Sequence, residues 1–134
     1  MSSIQVADQT FVAASGAAVA EVLGGPTKWR QWWPDLTLDV REDRGDKGIR
    51  WSVSGALTGT MEVWLQPSLD GVILHYFLHC EPQGVERMSP RELSAVNRAR
   101  RVAGKDMSFD IKARLEAGRP AGVTPAATQA GRDS

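Results

Sequence analysis

The sequence predicts an α+β domain. A curved antiparallel sheet of about five strands should wrap round one long C-terminal helix, with two short helices after the first strand. Three observations carry this expectation. Residues 36–80 contain successive stretches in which apolar and polar side chains alternate with period two, separated by turn signals. Residues 89–117 instead space their apolar residues by three and four, as one face of a helix requires. Between them and the first strand, Gly24-Gly25-Pro26 and Pro34 punctuate two short helix-forming segments.

Taken in order, residues 4–13 carry β-formers, with Ile4, Val6, Thr10 and Val12 on one parity. Ser15 supplies an N-cap for a helix over residues 17–23, where Val19, Val22 and Leu23 share a face. A second short helix fits residues 27–33, capped by Thr27 and stopped by Pro34. Leu36, Leu38 and Val40 then alternate with Thr37, Asp39 and Arg41, the pattern of a half-buried strand. After a polar turn over residues 42–48, Ile49, Trp51 and Val53 alternate with Arg50, Ser52 and Ser54. The next strand sets Met61, Val63 and Leu65 against Thr60, Glu62 and Trp64. Residues 67–71 form a hairpin loop ending in Asp70-Gly71. The strand beyond it places Val72, Leu74, Tyr76 and Leu78 on one face and Ile73, His75, Phe77 and His79 on the other.

The last element has the strongest local code. Ser89 is an N-cap, Pro90 occupies the first helical position, and Glu92 completes a capping box. Leu93, Val96, Ala103, Met107, Ile111 and Leu115 follow on one stripe, interrupted only by Arg100. That predicts roughly 28 helical residues, or about 42 Å. Gly104 should weaken or bend the helix, by up to about 1 kcal/mol against alanine. Residues 1–117 make the domain, and the Gly/Ala/Pro/Thr-rich residues 118–134 read as a disordered tail.

A length of 134 residues suits one domain. Sixteen Lys and Arg balance sixteen Asp and Glu, which excludes a generically basic nucleic-acid binder. The lone cysteine, Cys80, has no internal disulfide partner. The apolar runs are far shorter than a membrane span, and the first residues show no secretory pattern, so a cytoplasmic protein is expected. No phosphate-binding loop, dinucleotide fingerprint or nucleophile elbow occurs, and no cofactor is expected.

The element order and one aromatic segment carry a family resemblance. Residues 11–35 (FVAASGAAVAEVLGGPTKWRQWWPD) resemble the opening of the START/birch-pollen-allergen-like, or SRPBCC, helix-grip superfamily. There a first strand leads through a helix to a tryptophan-rich segment, here Trp29, Trp32, Trp33 and Pro34. Residues 59–81 are similar to the family's late hairpin and residues 97–118 to its final gripping helix. Members commonly carry two more middle strands, so this would be a shortened form, with a smaller or more open cavity or with sheet edges that pair in a homodimer. The resemblance implies a small hydrophobic ligand, lipid or polyketide-like, held between sheet and helix without chemistry. It also includes aromatase/cyclase enzymes, so cyclase or dehydrase activity is the alternative. A protein-interaction module without a cavity is the third reading.

The ligand-lining candidates are Trp29, Trp33, Trp51, Met61, Trp64, Tyr76, Met107 and Ile111, together with Phe77 as a possible filler of the space. For the tryptophans, plain core packing is the ordinary reading, and lining a pocket is the functional one. Tyr76 shares its parity with apolar neighbours and should face inward, while Arg50, Glu62 and His75 are further polar strand residues. An enzyme would need two such groups to converge, for instance Tyr76 with Arg50. His75 and His79 stand about 13 Å apart along one strand, too far to share a metal ion. Nothing near Cys80 supplies both a base and a positive environment, and buried strand cysteines are usually inert. Arg87, Arg91, Arg98, Arg100, Arg101 and Lys105 face Glu92 alone. A solvated helix face is the default for them, and peripheral contact with an anionic lipid surface is the alternative.

Overall fold

A computed structural model describes residues 2–117; the tail expected over residues 118–134 lies outside the described residues. Five strands form one antiparallel sheet: β1 (Ile4–Val12), β2 (Leu36–Asp43), β3 (Gly48–Gly55), β4 (Leu57–Ser68) and β5 (Gly71–Pro82). Their spatial order is β1-β5-β4-β3-β2, so the first strand closes onto the last. The helices are α1 (Gly16–Leu23), α2 (Pro26–Trp32) and α3 (Pro90–Glu116). Short 3₁₀ turns occupy Gly45–Lys47 and Val85–Arg87.

The local signals placed most boundaries. Ser15 caps α1 by accepting from the Ala18 amide, and Ser89 and Glu92 form the reciprocal capping box of α3. Four elements depart from expectation. Gly25, not Thr27, is the N-cap of α2, because Pro26 with its preset φ takes the first helical position. β4 and β5 extend to Ser68 and Gly71, which shortens the hairpin loop to Leu69 and Asp70. Leu69 is held there at φ 51° and is 98% exposed. β2 continues through the charged residues Glu42 and Asp43, since an edge strand can turn charges to water. A bulge between Val40 and Glu42 leaves Arg41 as the extra residue.

The sheet's inner face follows the alternation. Ile4, Val6, Val12, Ile49, Trp51, Val53, Leu57, Met61, Val63, Leu65, Val72, Leu74, Tyr76, Leu78 and Cys80 are buried there, beneath Met107 and Ile111 of α3. Gly104 does not break the helix. It lies against Tyr76, and a Cβ built on it would stand 2.5 Å from the tyrosine Cε2. The missing side chain is therefore what lets α3 approach the sheet.

α3 runs along the edge strand β1 and supplies partners to several of its outward backbone groups. Asn97 accepts from the Gln5 amide, Lys112 Nζ donates to the Phe11 carbonyl at 2.8 Å, and Glu116 accepts from the Ala13 amide at 2.6 Å. Lys105 pairs with Asp8 at 2.8 Å and also reaches the Gln9 carbonyl. On its other flank α3 is tied to α2, where Trp32 donates to Asp110 at 2.9 Å. No described helix is long and apolar enough to cross a membrane.

Candidate functional site

The interior between the sheet and α3 gathers an aromatic cluster from three elements. Trp29 comes from α2, Trp33 from its C-cap, and Trp51 and Tyr76 from inward positions on β3 and β5. The Trp33 ring stacks on Tyr76, with centroids 6.1 Å apart and planes within 7°. It meets Trp51 edge-on at 5.9 Å, and Trp51 meets Trp29 edge-on at 5.6 Å. Met61, Met107 and Ile111 complete the buried surroundings.

The indole N–H groups divide into two kinds. Those at the periphery are anchored: Trp29 donates to the Leu23 carbonyl at 2.6 Å and Trp32 to Asp110. Of the two inner ones, both buried, Trp51 Nε1 has no hydrogen-bond partner among the described residues, while Trp33 Nε1 faces the Tyr76 phenol without a bond of good geometry. A buried donor left unmet costs about 1–3 kcal/mol. Ser108 Oγ on α3 is likewise buried and unpartnered. These orphaned donors were not legible in the sequence, because an indole announces its donor but not what will face it.

The inward titratable groups are held neutral. Burial raises the Tyr76 phenol well above its ordinary value, reinforced by nearby Cys80 and opposed by Arg100 and by the Trp33 indole facing it. Burial likewise pushes the Cys80 thiol up to about 11. Arg100, the one charge on the α3 stripe, sits a turn before Gly104 and makes a forked ion pair with both carboxylate oxygens of Asp35. The guanidinium beside it holds Asp35 below its ordinary 3.8. Asp110 also lies below its ordinary value: burial works against this, but the Trp32 N–H and the nearby Arg114 and Lys28 outweigh it.

Seven of the eight candidate residues thus belong to one region, and Trp64 does not. It lies on the outer face, 41% exposed, because β4 alternation sends Met61, Val63 and Leu65 inward and Trp64 outward. There it stacks on His75 at 4.6 Å, and His75 stacks on Phe77 at 6.3 Å. Trp64 also borders an open cleft of about 460 Å³ between the β4–β5 turn and the start of α1. Phe77 follows the same parity, so it fills no interior space. Arg50 and Glu62 also face outward as a cross-strand pair, and Tyr76 does not meet Arg50. Among the described residues no three His, Cys, Asp or Glu side chains gather as a metal site. Of the basic stretch, Arg100 and Lys105 are engaged by Asp35 and Asp8, while Arg91, Arg98 and Arg101 remain on the exposed side of α3.

No family model matches the sequence, and no curated protein matches it. Similarity is found among solved structures. The Aha1 dimer from Colwellia psychrerythraea superposes with a TM-score of 0.61 at 12% identity, over 87% of this chain and 99% of that one. The polyketide-cyclase-like protein Cgl2372 from Corynebacterium glutamicum gives 0.55 at 16% identity, over 84% and 90%. The di-domain ARO/CYC StfQ of the steffimycin biosynthetic pathway gives 0.59 at 15% identity, covering 96% of this chain and 52% of its own, about half its length.

Proposed function

We propose that this chain, which has the SRPBCC, polyketide-cyclase-like helix-grip fold, binds a small apolar molecule bearing acceptor oxygens between its concave sheet and α3. The observation that carries this reading is the buried, unpartnered N–H of Trp51, beside that of Trp33, which meets the Tyr76 phenol only at poor geometry. An entering carbonyl or hydroxyl oxygen would recover the free energy those donors forgo, while the aromatic and methionine surfaces take the apolar body. The methionines at 61 and 107 suit a pocket that must open to admit its guest, since their unbranched chains re-pack readily. Similar folds include a polyketide-cyclase-like protein and an ARO/CYC, and a polyketide-like ligand would have the required mixture of flat apolar surface and oxygens.

Binding without chemistry is the form this reading takes. Tyr76 keeps its proton as a hydrogen-bond donor and Cys80 remains a thiol, so neither serves as a base or nucleophile near neutral pH. The histidines face outward. The test is a titration of intrinsic tryptophan fluorescence with a hydroxyanthraquinone and, separately, with anthracene. Saturable quenching by the quinone is expected. Trp51→Phe should weaken the quinone about two- to tenfold, the worth of one hydrogen bond, and leave anthracene nearly unchanged. Absence of saturable binding by either compound would remove the reading.

A further inference from the structure

Arg100 is the sole charge on the inward stripe of α3, and its side chain is only 14% exposed. Its partner Asp35 is 51% exposed and stands on the link between α2 and β2. The pair therefore joins a sheltered cation to a carboxylate that water already reaches. It also stands on the less covered side of the grip. α3 is laced to β1 at one edge of the sheet, whereas inward-facing side chains of β2 lose cover along the opposite edge. Leu36 is 9% exposed, while Val40, paired with the fully buried Trp51, is 48% exposed. One turn along α3 from Arg100, Gly104 rests on the Tyr76 ring that stacks with Trp33.

We infer that Arg100 is the headgroup site of the ligand pocket, and that the bound molecule carries a carboxylate which displaces Asp35 from the guanidinium fork. This rests on the binding reading above and narrows it to an apolar acid. Asp35 shows which group fits, because both its oxygens engage the fork. A ligand carboxylate would reproduce that geometry, and the released Asp35 would remain solvated at the surface. Because Gly104 and Tyr76 already touch, the apolar body would lie along the less covered β2 side, toward Trp51 and Trp33. In the unoccupied protein Asp35 keeps Arg100 satisfied and resists binding.

The probes are cis-parinaric acid and its methyl ester, monitored by the acid's or ester's own fluorescence on the whole chain. The acid should bind about tenfold more tightly than the ester, as a charge-assisted pair requires. Asp35→Asn should tighten the acid and leave the ester unchanged. Arg100→Gln should bring the acid down to the level of the ester, with circular dichroism confirming the fold. Should that variant not fold, the wild-type ratio and Asp35→Asn decide. Equal binding of acid and ester by the wild type would overturn this inference and leave the wider reading standing. Failure of both probes and of the anthraquinone would remove both.

Discussion

Gly104 sets the distance at which α3 meets the sheet. In an exposed helix its replacement by alanine would stabilise by about 1 kcal/mol. Here the added methyl collides with Tyr76, whose ring is clamped by Trp33, so overpacking should win. Gly104→Ala is expected to destabilise by about 1–3 kcal/mol in denaturant unfolding, and a more stable variant would refute the close approach. At this scale the sequence was partly legible. The parity of residues 72–80 placed Tyr76 inward, with its neighbours Leu74 and Leu78. Trp64 and Phe77 were misplaced where aromatic character outweighed parity, although the same alternation sets both opposite the buried residues. Nothing local foretold that the Trp51 donor would lack a partner, because that depends on packing from three separate elements.

Among the elements, α3 was the most legible because its start is written within four residues. Ser89 and Glu92 exchange hydrogen bonds with each other's backbone amides, at 3.1 and 2.9 Å. Ser89→Ala should cost about 1 kcal/mol. The bonds from Ser89 hold Glu92 below its ordinary 4.5. A lowered folded-state pKa contributes stability that is present above the unfolded value and disappears as pH falls through the folded one. The penalty of Glu92→Ala in chemical unfolding should therefore be full at neutral pH and shrink below about pH 4.5; a pH-independent penalty would exclude the Glu92 half of the box. What the sequence did not yield was where α3 lies. Its alignment with β1 depends on Asn97, Lys105, Lys112 and Glu116 meeting backbone groups roughly a hundred residues earlier, a pairing without local signature.

For the whole molecule, the five-strand count and the strand–helix–helix–meander–helix order were readable, but the treatment of the two sheet edges was not. Side chains of α3 occupy several of the outward groups of β1, and β2 carries a bulge at Arg41 with Asp39, Glu42 and Asp43 nearby. Edge-to-edge pairing is thus disfavoured at both sides. Deleting Arg41 to straighten β2 should produce concentration-dependent dimers in light scattering, while the unaltered chain should show no such edge-mediated growth. The lacing of β1 has a consequence for synthesis. Its sheet neighbour begins at Gly71 and its covering helix ends at Glu116, so the earliest strand leaves the ribosome long before either arrives. At roughly 5–20 residues per second it must wait several seconds unpaired. The nascent chain should therefore be most vulnerable to chaperone capture in its opening segment, and that vulnerability should end only when the final helix has emerged.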